Sequence, residues 1–317
     1  ATAARLDSTS VWPHTYLGDL KAWLGENDQA VEHYLRALDQ DPAHVPTLNK
    51  LAVLHMNQGR MEEAEAIYRR SVAARPRFPR AYRDLGLLRY YDSDYEGARK
   101  IWEELAELAP DDYEAYSLLG VASFELEDYD HAEEMFLHSL EIEPSFAVYE
   151  NLATLYYYDQ RYEDSIAMAR ETLARKPDEY SAWRTLARAC RLAPGHGDSA
   201  KVAFEKALEQ VVELRGQYPN DPELMADHAS FCAILGPREK SLVLLEKLET
   251  DFPELDAGTL FSIASTYEEL GERERALDWL EKAVEKEVSF RKVDSYPVLK
   301  NLQTHPRYIA LRAEYEK

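Results

Sequence analysis

Arg184, Arg188 and Arg191 follow one another at spacings of four and three residues, so on a helix their guanidinium groups share one face. A guanidinium is a planar fork of donors that grips a carboxylate by two parallel bonds. Two runs of adjacent aromatics add a second chemistry: Tyr90-Tyr91 and Tyr156-Tyr157-Tyr158 offer large apolar rings tipped with hydroxyls. Adjacent residues cannot all face one core, on helix or strand, so part of each run is left for something besides packing. Rings that pack side chains and guanidiniums that hold carboxylates suit the capture of an extended acidic or aromatic segment.

Catalytic chemistry is harder to assemble. Nine histidines are scattered along the chain, and none stands in a His-Glu-x-x-His pair. The two cysteines, Cys190 and Cys232, make neither a metal spacing nor a disulfide framework. The turn Pro194-Gly195-His196-Gly197 lacks the strand and the Lys-Ser/Thr context of a phosphate loop. The sequence predicts no enzyme, no metal and no cofactor.

Charge narrows the partners. Fifty-nine acidic residues against 37 basic ones give a formal net charge of −22, which repels nucleic acid and anionic membrane surfaces. The partner expected is therefore protein or peptide. No apolar run approaches the ~18 residues of a membrane span, and no basic segment followed by an apolar one opens the chain as a secretory signal.

The elements that must carry these residues are set by a period. Prolines at 42, 76, 110, 144, 177, 219 and 253 stand 34, 34, 34, 33, 42 and 34 residues apart. Between them recurs a helix with small residues, a short polar turn and an amphipathic helix ending at proline. Leu17-Gly18, Ala30, Tyr34, Ala37 and Pro42 are echoed by Leu51-Ala52, Ala64, Tyr68, Ser71 and Pro76. Leu85-Gly86, Ala98, Trp102 and Pro110 follow, then Leu119-Gly120, Ala132, Phe136, Ser139 and Pro144. Later repeats are looser, with Ser165 and Ser241 in place of the second-helix alanine. The 42-residue interval predicts a second helix about two turns longer than the others.

This pattern resembles the tetratricopeptide repeat (TPR) family over nearly the whole chain. The resemblance implies an all-α, right-handed superhelical solenoid of eight repeats. Their expected bounds are 11–44, 45–78, 79–112, 113–145, 146–179, 180–221, 222–256 and 257–288. An arm over 1–10 precedes them and a helical cap over 289–317 follows. In this family Tyr156 would be buried between repeats and Tyr162 would take the structural aromatic position of the second helix. Tyr90, Tyr91, Phe124, Tyr157 and Tyr158 would line the concave groove with Arg80, Arg83, Arg184, Arg188 and Arg191. Asn151 stands where peptide-binding members place an asparagine against the ligand backbone. Packing of the inner wall and occupation by the protein's own tail are the alternatives. Asp84, Glu114, Glu125 and Glu150 would meet the arginines on the same wall. The chaperone-tail carboxylate clamp of the family is not expected: Thr15, Asp19, Lys50, Arg80 and Asp84 leave most of it missing.

From residue 183 the chain is similar to the TPR regions of bacterial signalling proteins, such as eukaryotic-like Ser/Thr kinases and membrane-bound transcriptional regulators. Its ending, with Pro297, Leu299, Leu302, Pro306, Arg307 and Tyr308, resembles their cap. The implication is a sensing or partner-recruiting segment, in the bacterial cytoplasm or on the outer side of a membrane-anchored parent. A free-standing scaffold working through its outer helices would carry the same repeats.

Overall fold

The computed structural model describes residues 10–315. It is all helical among those residues, as successive hairpins in two compact units divided after Pro144. The expected arm lies almost wholly outside the described residues.

The first unit has four hairpins: α1 (Trp12–Trp23) with α2 (Asn27–Gln40), α3 (Val45–Asn57) with α4 (Met61–Ala74), α5 (Pro79–Tyr91) with α6 (Tyr95–Leu108), and α7 (Tyr113–Glu125) with α8 (Tyr129–Ile142). The second unit has four more: α9 (Phe146–Tyr158) with α10 (Tyr162–Arg175), α11 (Tyr180–Leu192) with α12 (Gly197–Gln217), α13 (Pro222–Leu235) with α14 (Arg238–Asp251), and α15 (Ala257–Glu269) with α16 (Arg273–Glu285). It closes with α17 (Phe290–Ser295), a 3-10 turn over Pro297–Leu302, and α18 (Pro306–Tyr315).

Each of the seven periodic prolines stands two residues beyond the end of a second helix, where a missing N–H and a fixed φ stop the helix. Small residues let the two helices of a hairpin close up. A Cβ on Gly18 would lie 2.5 Å from Tyr34 Cδ1, and one on Gly120 2.6 Å from Phe136 Cε1. The aromatic of the second helix therefore occupies the space a side chain would have taken. Where serine replaces the second-helix alanine, its hydroxyl is satisfied across the hairpin: Ser165 Oγ donates to the Ala153 carbonyl and Ser241 Oγ to that of Ala229, both at 2.7 Å.

Within each unit the first helices of neighbouring repeats touch, as α1 and α3, α3 and α5, α9 and α11, α13 and α15 do. The 42-residue interval corresponds to α12, with 21 residues against the 14 of α10. No helix among the described residues is long and apolar enough to cross a membrane. The last repeat is sealed by Val293, Leu299, Leu302 and Tyr308, all buried. Arg307 ties α18 to α16 through Glu274, Asp278 and Glu281 at 3.0, 2.8 and 3.3 Å.

Candidate functional site

In the first unit, α1, α3 and α5 line an open groove of about 610 Å³. Its floor includes Val45, Leu54 and Tyr34, and its polar lining includes Asn49, Lys50, Asn57 and Arg80. Asn49 is committed: Nδ2 donates to Asp84 at 3.0 Å and Oδ1 accepts from Ser71 Oγ at 2.8 Å. Lys50 pairs with Asp19 at 3.0 Å. Arg80 reaches Asp84 only at 3.6 Å, and its side chain is 70% exposed. Burial raises the Asp84 carboxyl above its usual range, against the pull of Arg80 and Arg83. The repeat position that Asn57 occupies in this groove is held by Trp23 in repeat one and by Tyr91 in repeat three. Those rings are 82% and 64% exposed, and Trp12 and Tyr16 of α1 are exposed as well.

Beyond Tyr91 the wall is more closed. The Tyr90 ring lies 6.1 Å from that of Trp102, and its hydroxyl donates to Glu125 at 3.0 Å. Burial and that carboxylate raise the phenol above its usual range. Arg83 bonds both Asp112 and Glu114 at 2.8 Å. Phe124 is partly buried and stacks on Tyr129.

The second unit turns its charge inward. Asp227 on α13 is only 3% exposed and receives Arg184 Nη1 and the Tyr180 hydroxyl at 2.8 Å and Arg188 Nη2 at 2.9 Å. Burial alone would raise this carboxyl; Arg184 and Arg188 overcome it and hold it below the usual range. Arg191 reaches past repeat seven to grip both oxygens of Glu269 on α15, at 2.8 and 2.9 Å. Tyr157 is buried, with the ring of the cap's Tyr296 at 6.4 Å. Burial and that neighbour push its phenol well above the ordinary range. Lys292 of the cap lies over the Tyr158 ring at 5.4 Å. Asn151 is partly buried on α9.

The eleven residues singled out in the sequence are therefore distributed over two environments. Arg80 and Tyr91 stand open beside the first-unit groove. Arg184, Arg188 and Arg191 are neutralised within the second unit, and Tyr157 is covered by the cap. Sequence reasoning missed Trp23, although the register that marks Tyr91 and Tyr158 marks it too. It also missed Asp227, whose only sign is an acid at the repeat position Asn151 occupies.

Stacked helical hairpins with this arrangement define a repeat solenoid of the protein-interaction kind. The tetratricopeptide repeat family matches residues 24–85, 83–145, 151–222 and 257–285, and the chain belongs to it. Solved structures of the same fold include PilF of Pseudomonas aeruginosa, at 22% identity over 71% of this chain and 97% of that one, with a TM-score of 0.54. PilW, described as a type IV pilus biogenesis factor, matches at 18% identity over 67% and 94%, also with a TM-score of 0.54. Among curated proteins none matches the chain. At these identities the likeness is one of fold.

Proposed function

We propose that the chain is a non-catalytic recognition module that holds an extended peptide segment in the groove of repeats one to three, continuing onto Tyr90 and Tyr91. The observation that carries this reading is the pair of exposed rings, Trp23 and Tyr91, at one repeat position on either side of the groove. Large aromatic rings left in water beside a concave apolar floor are typical anchors of protein recognition. Arg80, loosely paired and open, supplies an attraction for a carboxylate, so an aromatic or acidic segment fits best. Phe124, at the repeat position of Tyr90, extends the contact or lines the wall within the first unit; in the second unit Tyr158 holds the position of Tyr91 and Asn151 that of Asp84. Arg83, Arg184, Arg188 and Arg191 act in this reading chiefly as internal partners of carboxylates. Residues 183–315, similar to the TPR regions of bacterial signalling proteins, support a partner-recruiting role in a longer parent. The net charge disfavours nucleic acid and anionic lipid.

The test is a random-peptide display selection on the whole chain, counter-selected with Trp23→Ala/Arg80→Ala/Tyr91→Ala after circular dichroism has shown the variant folded. A motif recovered on the native chain and lost on the variant supports the groove. Absence of a motif, or its retention by the variant, turns attention to the outer helices.

A further inference from the structure

The second unit contains a cavity of about 220 Å³ that the groove does not use, with Tyr158, Phe261 and Tyr296 as apolar walls and Arg184, Arg188 and Lys292 as its cations. Its two guanidiniums are paired with carboxylates and, among the described residues, its lysine is not. The two guanidiniums share one buried carboxylate, Asp227, and Arg184 also pairs with Glu223 at 3.0 Å. The other bordering acids, Glu223 and Asp256, are exposed at the rim, and Asp256 is already occupied by the Thr259 N–H and hydroxyl at 2.9 and 2.7 Å. Lys292 lies over the Tyr158 and Phe261 rings at 5.4 and 5.9 Å, and no carboxylate of the described residues forms an ion pair with it. The Lys292 charge, held beside apolar rings in a confined space, attracts an anion far more strongly than it would in bulk water. The volume lies below the roughly 300–1,000 Å³ of pockets that take drug-sized ligands. The occupant is therefore small, and the ring walls favour one whose charge sits on a short hydrocarbon stem.

We propose that this cavity, built from repeats five to eight and the cap, binds one carboxylate on a short apolar stem, with Lys292 as its ion partner and the Tyr158, Phe261 and Tyr296 rings around the stem. The same group occurs in a free organic acid and in an acidic side chain of a bound protein.

Isothermal titration of the whole chain with succinate, and with uncharged succinamide as control, tests it. Succinate is expected to bind and to raise the melting temperature, while succinamide does neither. Lys292→Gln, on the partly exposed α17, should weaken succinate at least tenfold, and Lys292→Arg should restore most of the binding. A capped Ala-Glu-Ala peptide that competes with succinate assigns the carboxylate to a protein side chain; succinate binding without such competition assigns it to a free acid. No binding of succinate, equal binding by succinamide, or unchanged binding in a folded Lys292→Gln chain overturns the proposal. The groove variant Trp23→Ala/Arg80→Ala/Tyr91→Ala should bind succinate normally, so failure of one site is distinguishable from failure of the other.

Discussion

Arg188 Nη2 donates to Asp227 Oδ1 at 2.9 Å, joining two first helices through a carboxylate that also receives Arg184 and Tyr180. Removing one partner from a buried ion cluster costs more than the cluster contributes, because the remaining charges lose their compensation. Asp227→Ala is therefore expected to destabilise the chain by about 3–5 kcal/mol, read as a lower urea midpoint. Tyr180→Phe, which deletes one of three hydrogen bonds, should cost only about 1 kcal/mol. Equal losses in the two variants would mean that the charges are solvated rather than locked together.

Gly86 tests the closest helix approach of repeat three. A Cβ there would sit 2.6 Å from Trp102 Cδ1, and the indole is wholly buried. In an exposed helix Gly→Ala would gain about 1 kcal/mol; here the ring must shift, and overpacking costs about 1–3 kcal/mol. Gly86→Ala should lower the melting temperature and alter tryptophan emission. A stabilised variant would show that the hairpin has slack.

These positions separate what the sequence makes legible from what it hides. Repeat period, helix type and the long α12 follow from local spacing, because small residues, aromatics and prolines act within one hairpin. The fate of the arginines does not. Arg188 finds Asp227 39 residues away, and Arg191 finds Glu269 78 residues away. Such partners depend on how successive first helices face one another, which no single repeat encodes. Tyr157 is the sharper case: its face is the one the family leaves open, yet Tyr296 of the cap lies against it. Trp23 was within reach of the register alone.

The turn between the two helices of a repeat gives a stabilising prediction. Gly25, Gly59 and Gly271 adopt φ of 75, 72 and 75°, while Ser93, Glu127 and Gln160 hold the corresponding place at 61, 58 and 63°. The left-handed conformation costs a residue with a Cβ roughly 1–2 kcal/mol, offset in part by the greater freedom glycine has when unfolded. Gln160→Gly is expected to stabilise by about 0.5–1 kcal/mol. Gly59→Ala should lose a comparable amount. Urea titrations of the two single variants, moving in opposite directions, are the check.

His228 sets a dependence on pH. It is buried on α13, its Nδ1 accepts from Arg215 Nη1 at 2.7 Å, and its Nε2 has no hydrogen-bond partner among the described residues. Burial first, then Lys240 and Arg215, press its pKa down to about 4. The folded chain thus keeps the ring neutral at a pH where the unfolded chain, near pKa 6.5, already binds a proton. Its stabilising effect is complete above about pH 6.5 and is lost as pH falls towards about 4. The loss is on the order of 2 kcal/mol once solvent screening is allowed for. Burial lowers His33, His44 and His55 in the same sense, so the whole chain should weaken steadily from pH 7.5 to 5. His228→Gln keeps an acceptor for Arg215 and cannot titrate, so it should flatten that slope in urea unfolding measured across the window. Parallel slopes for the two proteins would show that His228 is solvated and already protonates freely in the native state.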